Sequence, residues 1–196
     1  MSKGESTRTR ILDEAIAVAS VDGLTGLTLG RLADQVGMSK SGLFAHFRSK
    51  EELQLQVLEE TFERFRARVV EPALRVPRGE PRVRALFEGW MGWADDPSVP
   101  GGCLFMQAMA ELDDQPGPAR DRLVESQRDW RDFLVDAARR AVDAGHFRAD
   151  LDAELFAFQL HGIAFARHQA ARLFHDPSAD ATARRAFESL LASARP

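Results

Sequence analysis

The chain has 196 residues, 44% of them apolar and 29% charged, with 26 Lys+Arg against 30 Asp+Glu and so a formal net charge of −4. That composition excludes a disordered chain, the single Cys excludes an internal disulfide and points to a reducing compartment, and no apolar run reaches the roughly 20 residues of a membrane span. An acidic total also speaks against nucleic acid until its distribution is read: residues 1–50 carry seven Lys/Arg and five Asp/Glu, a net of +2, which leaves −6 for the rest.

The polar start, Met1-Ser2-Lys3-Gly4-Glu5-Ser6, lacks the apolar stretch of a signal peptide, so a cytoplasmic chain with no membrane partner is expected. Helical periodicity then runs through the chain, and no sustained alternation suggests a strand. Ile11, Leu12, Ala15, Ile16 and Ala19 form the stripe of a first helix ending near Asp22-Gly23. A short second helix follows Thr28 as N-cap and stops at Gly37. A third starts after Ser39 and carries Leu43, Phe44 and Phe47. Ser49 and Glu52 form a capping box that opens a long helix, with Leu53, Val57, Leu58, Phe62 and Phe65 on one side.

Clusters of Pro and Gly divide the remainder: Pro77 to Pro81, Asp95 to Gly102, Gln115 to Pro118, then Gly145 and His175-Asp176-Pro177. They leave about five further helices, roughly nine in all. The expected architecture is all-α: an N-terminal three-helix helix-turn-helix domain over residues 1–50 and a C-terminal helical bundle over residues 51–196. The helix from Asp152 to Leu173 differs from its neighbours. Leu155, Phe156, Phe158, Leu160, Ile163, Ala164 and Phe165 place apolar groups all round it. Such a helix is covered on every side, which in a chain this small calls for a second subunit. Phe187 and Leu190 extend the same surface, so Phe158, Phe165, Phe187 and Leu190 are candidate dimer contacts.

The segment Thr28 to Lys50 carries the chemistry. Two helices packed at close range need a small residue midway along the first, Ala33. They need a left-handed turn residue four positions later, Gly37, and an apolar plug on the second helix, Leu43. Leu32, Val36 and Met38 fill the other inward positions. Facing outward are Ser39, Lys40, Ser41, Gly42 and His46, all small, polar or cationic. Short side chains let a helix sit deep in a major groove. Lys40 suits guanine O6 and N7, the serines suit phosphate, and Lys50 stands at the next helix N-terminus.

These residues, with Ile-Leu-Asp-Glu-Ala in the first helix, Gly23-Leu24-Thr25, and Leu-Phe-Ala-His-Phe-Arg-Ser-Lys-Glu-Glu-Leu after Gly42, resemble the TetR/AcrR family of bacterial transcriptional regulators over about residues 6–56. The resemblance implies a repressor that binds a palindromic double-stranded DNA operator as a homodimer and is released by a small effector, with no cofactor. Carried over by that resemblance, Thr28 is a phosphate-contacting cap. Lys40, Ser41 and Gly42 approach base edges, Phe44 and His46 lie against the backbone, and Lys50 holds a phosphate. Two positions depart from the pattern. Phe44 stands where members usually have Tyr, and Gly30 stands where a longer polar side chain often helps. The stretch Pro100 to Phe105 with Glu111 to Pro118 also resembles a subset of the family's C-terminal domains.

By the same resemblance the bundle encloses an effector pocket and dimerises through its last two helices. Trp90, Trp93, Phe105, Met106, Met109, Trp130, Phe133, Phe158 and His161 are the candidate lining residues for a lipophilic or aromatic effector. Without Tyr, its polar handles come from His161, Gln107, Gln159, Glu111, Asp113, Arg167 or an indole N–H. The same Met and Phe spacing also serves an ordinary core, and His161 in the most apolar helix also reads as a core or interface histidine. His161 and His168 share a face but have no evident third ligand, so no metal is expected. Cys103, between a helix start and Leu104-Phe105, reads as packing or as a thiol sensor. No nucleophile–base pair or phosphate loop suggests an enzyme. A same-fold activator, or a regulator without a ligand, stays open.

Overall fold

A computed structural model describes residues 3–196 of the chain, with side chains from Thr7 onward. Among these residues there is no strand, and the helices are nine. They are α1 (Lys3–Gly26), α2 (Leu29–Val36), α3 (Lys40–His46), α4 (Lys50–Phe65), α5 (Glu80–Ala94), α6 (Leu104–Leu112), α7 (Pro118–Asp143), α8 (Ala153–Arg172) and α9 (Ala179–Ala194). α4 continues without a break through a π-helical turn, Arg66–Val70, into a last α-turn, Glu71–Leu74. No described helix is long and apolar enough to cross a membrane.

Local signals set most boundaries. The Thr28 hydroxyl accepts from the Arg31 N–H, and Gly37 ends α2 at φ 68°, ψ 35°, a left-handed position that favours glycine. Ser39 caps α3 by accepting from the Gly42 N–H at 3.1 Å. The capping box at Ser49 forms with a shift. Ser49 accepts from the Glu52 N–H at 3.0 Å, but the Glu52 carboxylate reaches the Arg48 N–H at 3.0 Å, one residue earlier than expected. α1 overruns its expected end near Gly23. The backbone kinks there, φ 78° and ψ 166°, and helix resumes to Gly26.

The chain forms two compact units. One holds the residues up to Arg64 with Asp95–Glu125, and the other holds Phe65–Ala94 with Ser126–Pro196. α4 as far as Arg64, and all of α6, belong with the helix-turn-helix. The physical reason is that α1 docks on α6 and the loop before it. The buried Gly101 N–H donates to the Ser20 hydroxyl at 3.0 Å, and Glu111 of α6 accepts from the Thr25 N–H at 2.9 Å. The core of this unit is Ile11, Ala15, Ile16, Ala19 and Leu24 of α1 with Leu32, Leu43, Phe47, Leu53, Val57 and Leu58, all at most 1% exposed.

The second unit packs α5 and α9 through the Phe87 and Phe187 rings, stacked at 3.9 Å. Arg84 bridges to Glu80 at 2.8 Å on its own helix and to Glu188 of α9, while Arg195 returns to Glu80 at 2.9 Å. These contacts hold the Glu80 carboxyl below the ordinary carboxylate range, with the Arg195 hydrogen bond the largest cause.

Candidate nucleic-acid interface and aromatic cluster

The helix-turn-helix separates its residues as the spacing of Ala33, Gly37 and Leu43 requires. Leu32, Ala33 and Leu43 are fully buried, and Val36 and Met38 are half-buried. On the other side Thr28, Ser39, Lys40, Ser41 and Phe44 are exposed, Gly42 and His46 are half-buried, and Lys50 is exposed at the start of α4. The eight residues expected to meet DNA thus lie at the N-termini of α2 and α4 and along α3. Ser39 and Ser41 share a hydrogen bond at 3.1 Å. Phe44 is 49% exposed, a large apolar ring only half covered by its own chain.

Lys40 lies against Gly30 of α2. A Cβ built on Gly30 meets the Lys40 Cε at 3.2 Å and Nζ at 3.5 Å. The missing side chain at position 30 is therefore the bed on which the candidate base-reading lysine rests. Lys50 donates to the Thr25 carbonyl at 2.6 Å. An ammonium has three donors, so two remain for a phosphate. Lys40 and Lys50 are two of only three lysines in the chain, the other being Lys3.

Residues that sequence reasoning did not single out support this face. Gln54 donates to the Leu24 carbonyl at 2.7 Å in the core. Arg8 lies over the Phe47 ring at 5.2 Å, donates to the His46 carbonyl at 3.3 Å, and bonds Gln56. Each partner is at least 30 residues away in sequence, beyond the reach of helical periodicity.

The candidate effector residues divide. Trp90, Trp93, Trp130, Phe133 and His161 gather in the second unit around Phe65. The Phe65 ring meets Trp93 edge-on at 5.6 Å and Trp130 edge-on at 5.0 Å. Trp90 meets Trp130 at 5.3 Å and His161 at 5.2 Å, and Phe133 stacks on Trp130 at 6.1 Å. Burial pushes the His161 imidazole below its ordinary pKa, so it is neutral at neutral pH. Phe105, Met106 and Met109 lie on α6 in the other unit, where Phe105 stacks on Phe62 at 4.6 Å and Arg122 covers the Phe62 ring at 4.7 Å. Phe158 does not line the cluster: it is 76% exposed on the outer face of α8.

Several polar handles are already engaged. Glu111 is bonded to Thr25, Gln107 donates to the Gly101 carbonyl at 3.4 Å, and the buried Arg167 pairs with Asp180 at 2.7 Å. The dimer candidates also divide. Phe158 and Phe165 are exposed, Leu190 borders a groove between α8 and α9, and Phe187 is 2% exposed and turned inward onto Phe87. Within the single chain α8 is covered on one side: Phe156, Leu160 and Ala164 are buried, while Leu155, Phe158 and Phe165 are exposed. Cys103 is buried at the start of α6.

Residues 11–57 match the family described as "Bacterial regulatory proteins, tetR family", and residues 79–187, more than half of the chain, match "Tetracyclin repressor-like, C-terminal domain". The chain belongs to the TetR family of bacterial regulators. It is thus similar in sequence to the HTH-type transcriptional repressor KstR2 of Mycobacterium tuberculosis, 28% identical over 156 residues, covering 76% of this chain and 74% of that protein. It is 31% identical over 144 residues to the HTH-type transcriptional regulator TcmR of Streptomyces glaucescens, covering 70% of this chain and 62% of TcmR. Among solved structures, a TetR transcriptional regulator from Chloroflexus aurantiacus superimposes with a TM-score of 0.86 at 24% identity, covering 98% of this chain and 96% of that one. The ketosteroid transcriptional regulator KstR2 superimposes with a TM-score of 0.73 at 20% identity, covering 96% and 95%. This TetR-family chain is a DNA-binding transcriptional regulator of the all-α fold, with a helix-turn-helix head and a helical C-terminal part.

Proposed function

We propose that the protein is a homodimeric repressor that reads a palindromic operator through α3 and is released from it by a small, largely apolar effector. The observation that carries the reading is the division within the helix-turn-helix. Leu32, Ala33 and Leu43 are completely buried, and directly across from them stands a polar, cationic face with Lys40 and Lys50 and an exposed aromatic ring, Phe44. Two such heads, related by a two-fold axis, would enter successive major grooves.

The second copy would sit on α8 and α9. Leu155, Phe158, Leu173 and Phe174 are 52%, 76%, 66% and 65% exposed, an unusual load of apolar surface for a chain working alone. Between the two helices the groove is floored by small residues, Gly162, Ala166, Ala183 and Ala186, which allow close helix approach. The effector site would be the aromatic cluster around Phe65, and an apolar effector agrees with the similarity to KstR2, a ketosteroid transcriptional regulator. Effector and operator would oppose one another through a reciprocal coupling free energy, of about 1–3 kcal/mol in typical cases.

Selection of bound DNA from a random pool supplies the operator, and a salt series on that DNA tests the head. Affinity should fall linearly in log salt. Lys40→Ala should cost about 1–3 kcal/mol and relax the preference at one base position, whereas Lys50→Ala should weaken all sequences alike and lower the salt slope by about one. Unchanged binding in both variants would remove the assignment of this face.

A further inference from the structure

Trp90, Trp93 and Trp130 are all the tryptophans in the chain, and there is no tyrosine. All three are buried, and all belong to the cluster around Phe65. Trp93 is 2% exposed and Trp130 is 8% exposed, yet neither indole N–H has a hydrogen-bond acceptor among the described residues. An indole nitrogen is a donor only. A core built purely for packing would take Phe at such a position, because burying an N–H without an acceptor gives up its hydration for nothing. Two uncommitted donors beside the same phenylalanine are the pattern of a cluster that receives an acceptor from outside.

The neighbours decide what kind of acceptor. Phe65, Trp90, Phe133 and His161 supply aromatic faces and no carboxylate, ammonium or guanidinium. A carboxylate entering among these rings would be desolvated with none of them as a cationic partner; the guanidiniums of Arg78, Arg82 and Arg140 line a separate pocket that Phe133 also borders. A plain hydrocarbon would leave both N–H groups as they are.

We propose that Trp93 and Trp130 are a donor pair that binds an apolar effector through an uncharged oxygen acceptor, the carbonyl of a ketone, ester or lactone. This rests on the effector-responsive reading above. Aromatic contact would supply most of the affinity, and the indole N–H groups would select among apolar molecules of the same size.

The test uses a graded series of fused-ring aromatic ketones, each paired with the hydrocarbon in which C=O is replaced by CH₂, titrated into the full chain. Indole fluorescence reports the cluster alone, because every tryptophan lies in it. At least one ketone should bind at least about tenfold more tightly than its hydrocarbon, and Trp93→Phe or Trp130→Phe should each shrink that ratio by about tenfold. The indole N–H NMR signals give the same answer without substitution. Two of the three should shift with the ketone and stay in place with the hydrocarbon. Equal binding of ketone and hydrocarbon, equal loss of both in the Trp→Phe variants, or no response to any member of the series would overturn the proposal. Operator binding measured without ligand separates the two claims. If the chain binds its selected DNA but fails the ketone test, the effector class falls and the regulator stands. If it binds no DNA, the broader reading falls first.

Discussion

The carboxylate of Glu111 accepts a hydrogen bond from the backbone N–H of Thr25 at 2.9 Å, across 86 residues of chain. Its other oxygen lies where a side chain on Gly23 would begin. A Cβ built there is 1.8 Å from Oε1, at a backbone φ of 78°. Glycine at position 23 therefore admits the carboxylate and accepts the kink together. The Thr25 carbonyl takes the Lys50 ammonium at 2.6 Å, and the Leu24 carbonyl takes the Gln54 amide at 2.7 Å. The last turn of α1 is thus fastened from α6 on one side and from α4 on the other. Its peptide links Glu111 to the lysine assigned to an operator phosphate.

Glu111→Ala should consequently weaken operator binding by about fivefold, the value of roughly one hydrogen bond, although Glu111 lies outside the helix-turn-helix. Glu111→Gln keeps an acceptor for the Thr25 N–H and should recover most of the affinity. Fluorescence anisotropy on the selected operator measures both. Equal binding by Glu111→Ala and the parent would show that Lys50 holds its position without Glu111.

Gly30 offers a case in which stability and recognition should move in opposite directions. Gly30→Ala gains helix propensity of up to about 1 kcal/mol. Its methyl would press on the Lys40 Cε, which must give way from 3.2 Å. The variant should melt higher and discriminate less at the base position that Lys40 reads. Thermal denaturation beside DNA selection checks this. Unaltered selection would mean that Lys40 contacts no base.

Phe44→Tyr adds a hydroxyl to a ring that is already 49% exposed, so nothing polar is buried in the free protein. Operator affinity should rise by about threefold to tenfold through one added phosphate hydrogen bond. The salt slope should stay the same because no charge is added.

His161 makes a pH prediction. Burial lowers its folded pKa beneath the ordinary 6.5. The unfolded chain then binds this proton at a higher pH than the folded one does. Stability from this group is complete above the unfolded value and is lost as pH falls through the lowered folded value. His161→Phe should flatten the difference in urea midpoint between about pH 7 and about pH 5. The ring packs on Trp90 at 5.2 Å, so indole fluorescence should follow the same titration in the parent chain.

Phe158→Asp should convert the protein to a monomer in sedimentation while leaving its helix content unchanged, since the ring is 76% exposed in the single chain. A dimer with undiminished affinity would place the second copy elsewhere.

The helices and the helix-turn-helix were legible because their signals are local. Thr28, Gly37, Ser39 and Ser49 act on backbone groups within four residues, and the apolar periods of α1 and α4 repeat within two turns. What the sequence concealed is contact at a distance. Nothing near Glu111 marks it as the partner of Thr25, and nothing near Phe65 marks it as the ring on which two tryptophans converge. Amphipathic pattern also failed to distinguish the two ways an aromatic can sit on α8 and α9. Phe158 and Phe187 occupy similar apolar stretches, but one faces solvent and the other is stacked on Phe87.

The distribution of lysine gives the chain a chemical asymmetry. The cationic side chains beyond position 50 are all arginine, so the only side-chain primary amines are those of Lys3, Lys40 and Lys50. An amine-acylating reagent, or an acetyl-transferring enzyme, would therefore find lysine targets only within the first 50 residues, two of them on the proposed DNA-reading face. At Lys40 and Lys50 each modification would remove a charge that the proposed interface offers to a guanine or a phosphate. Bound operator should shield Lys40 and Lys50 and leave Lys3 to react, which makes amine labelling a direct record of how much of the protein is on DNA.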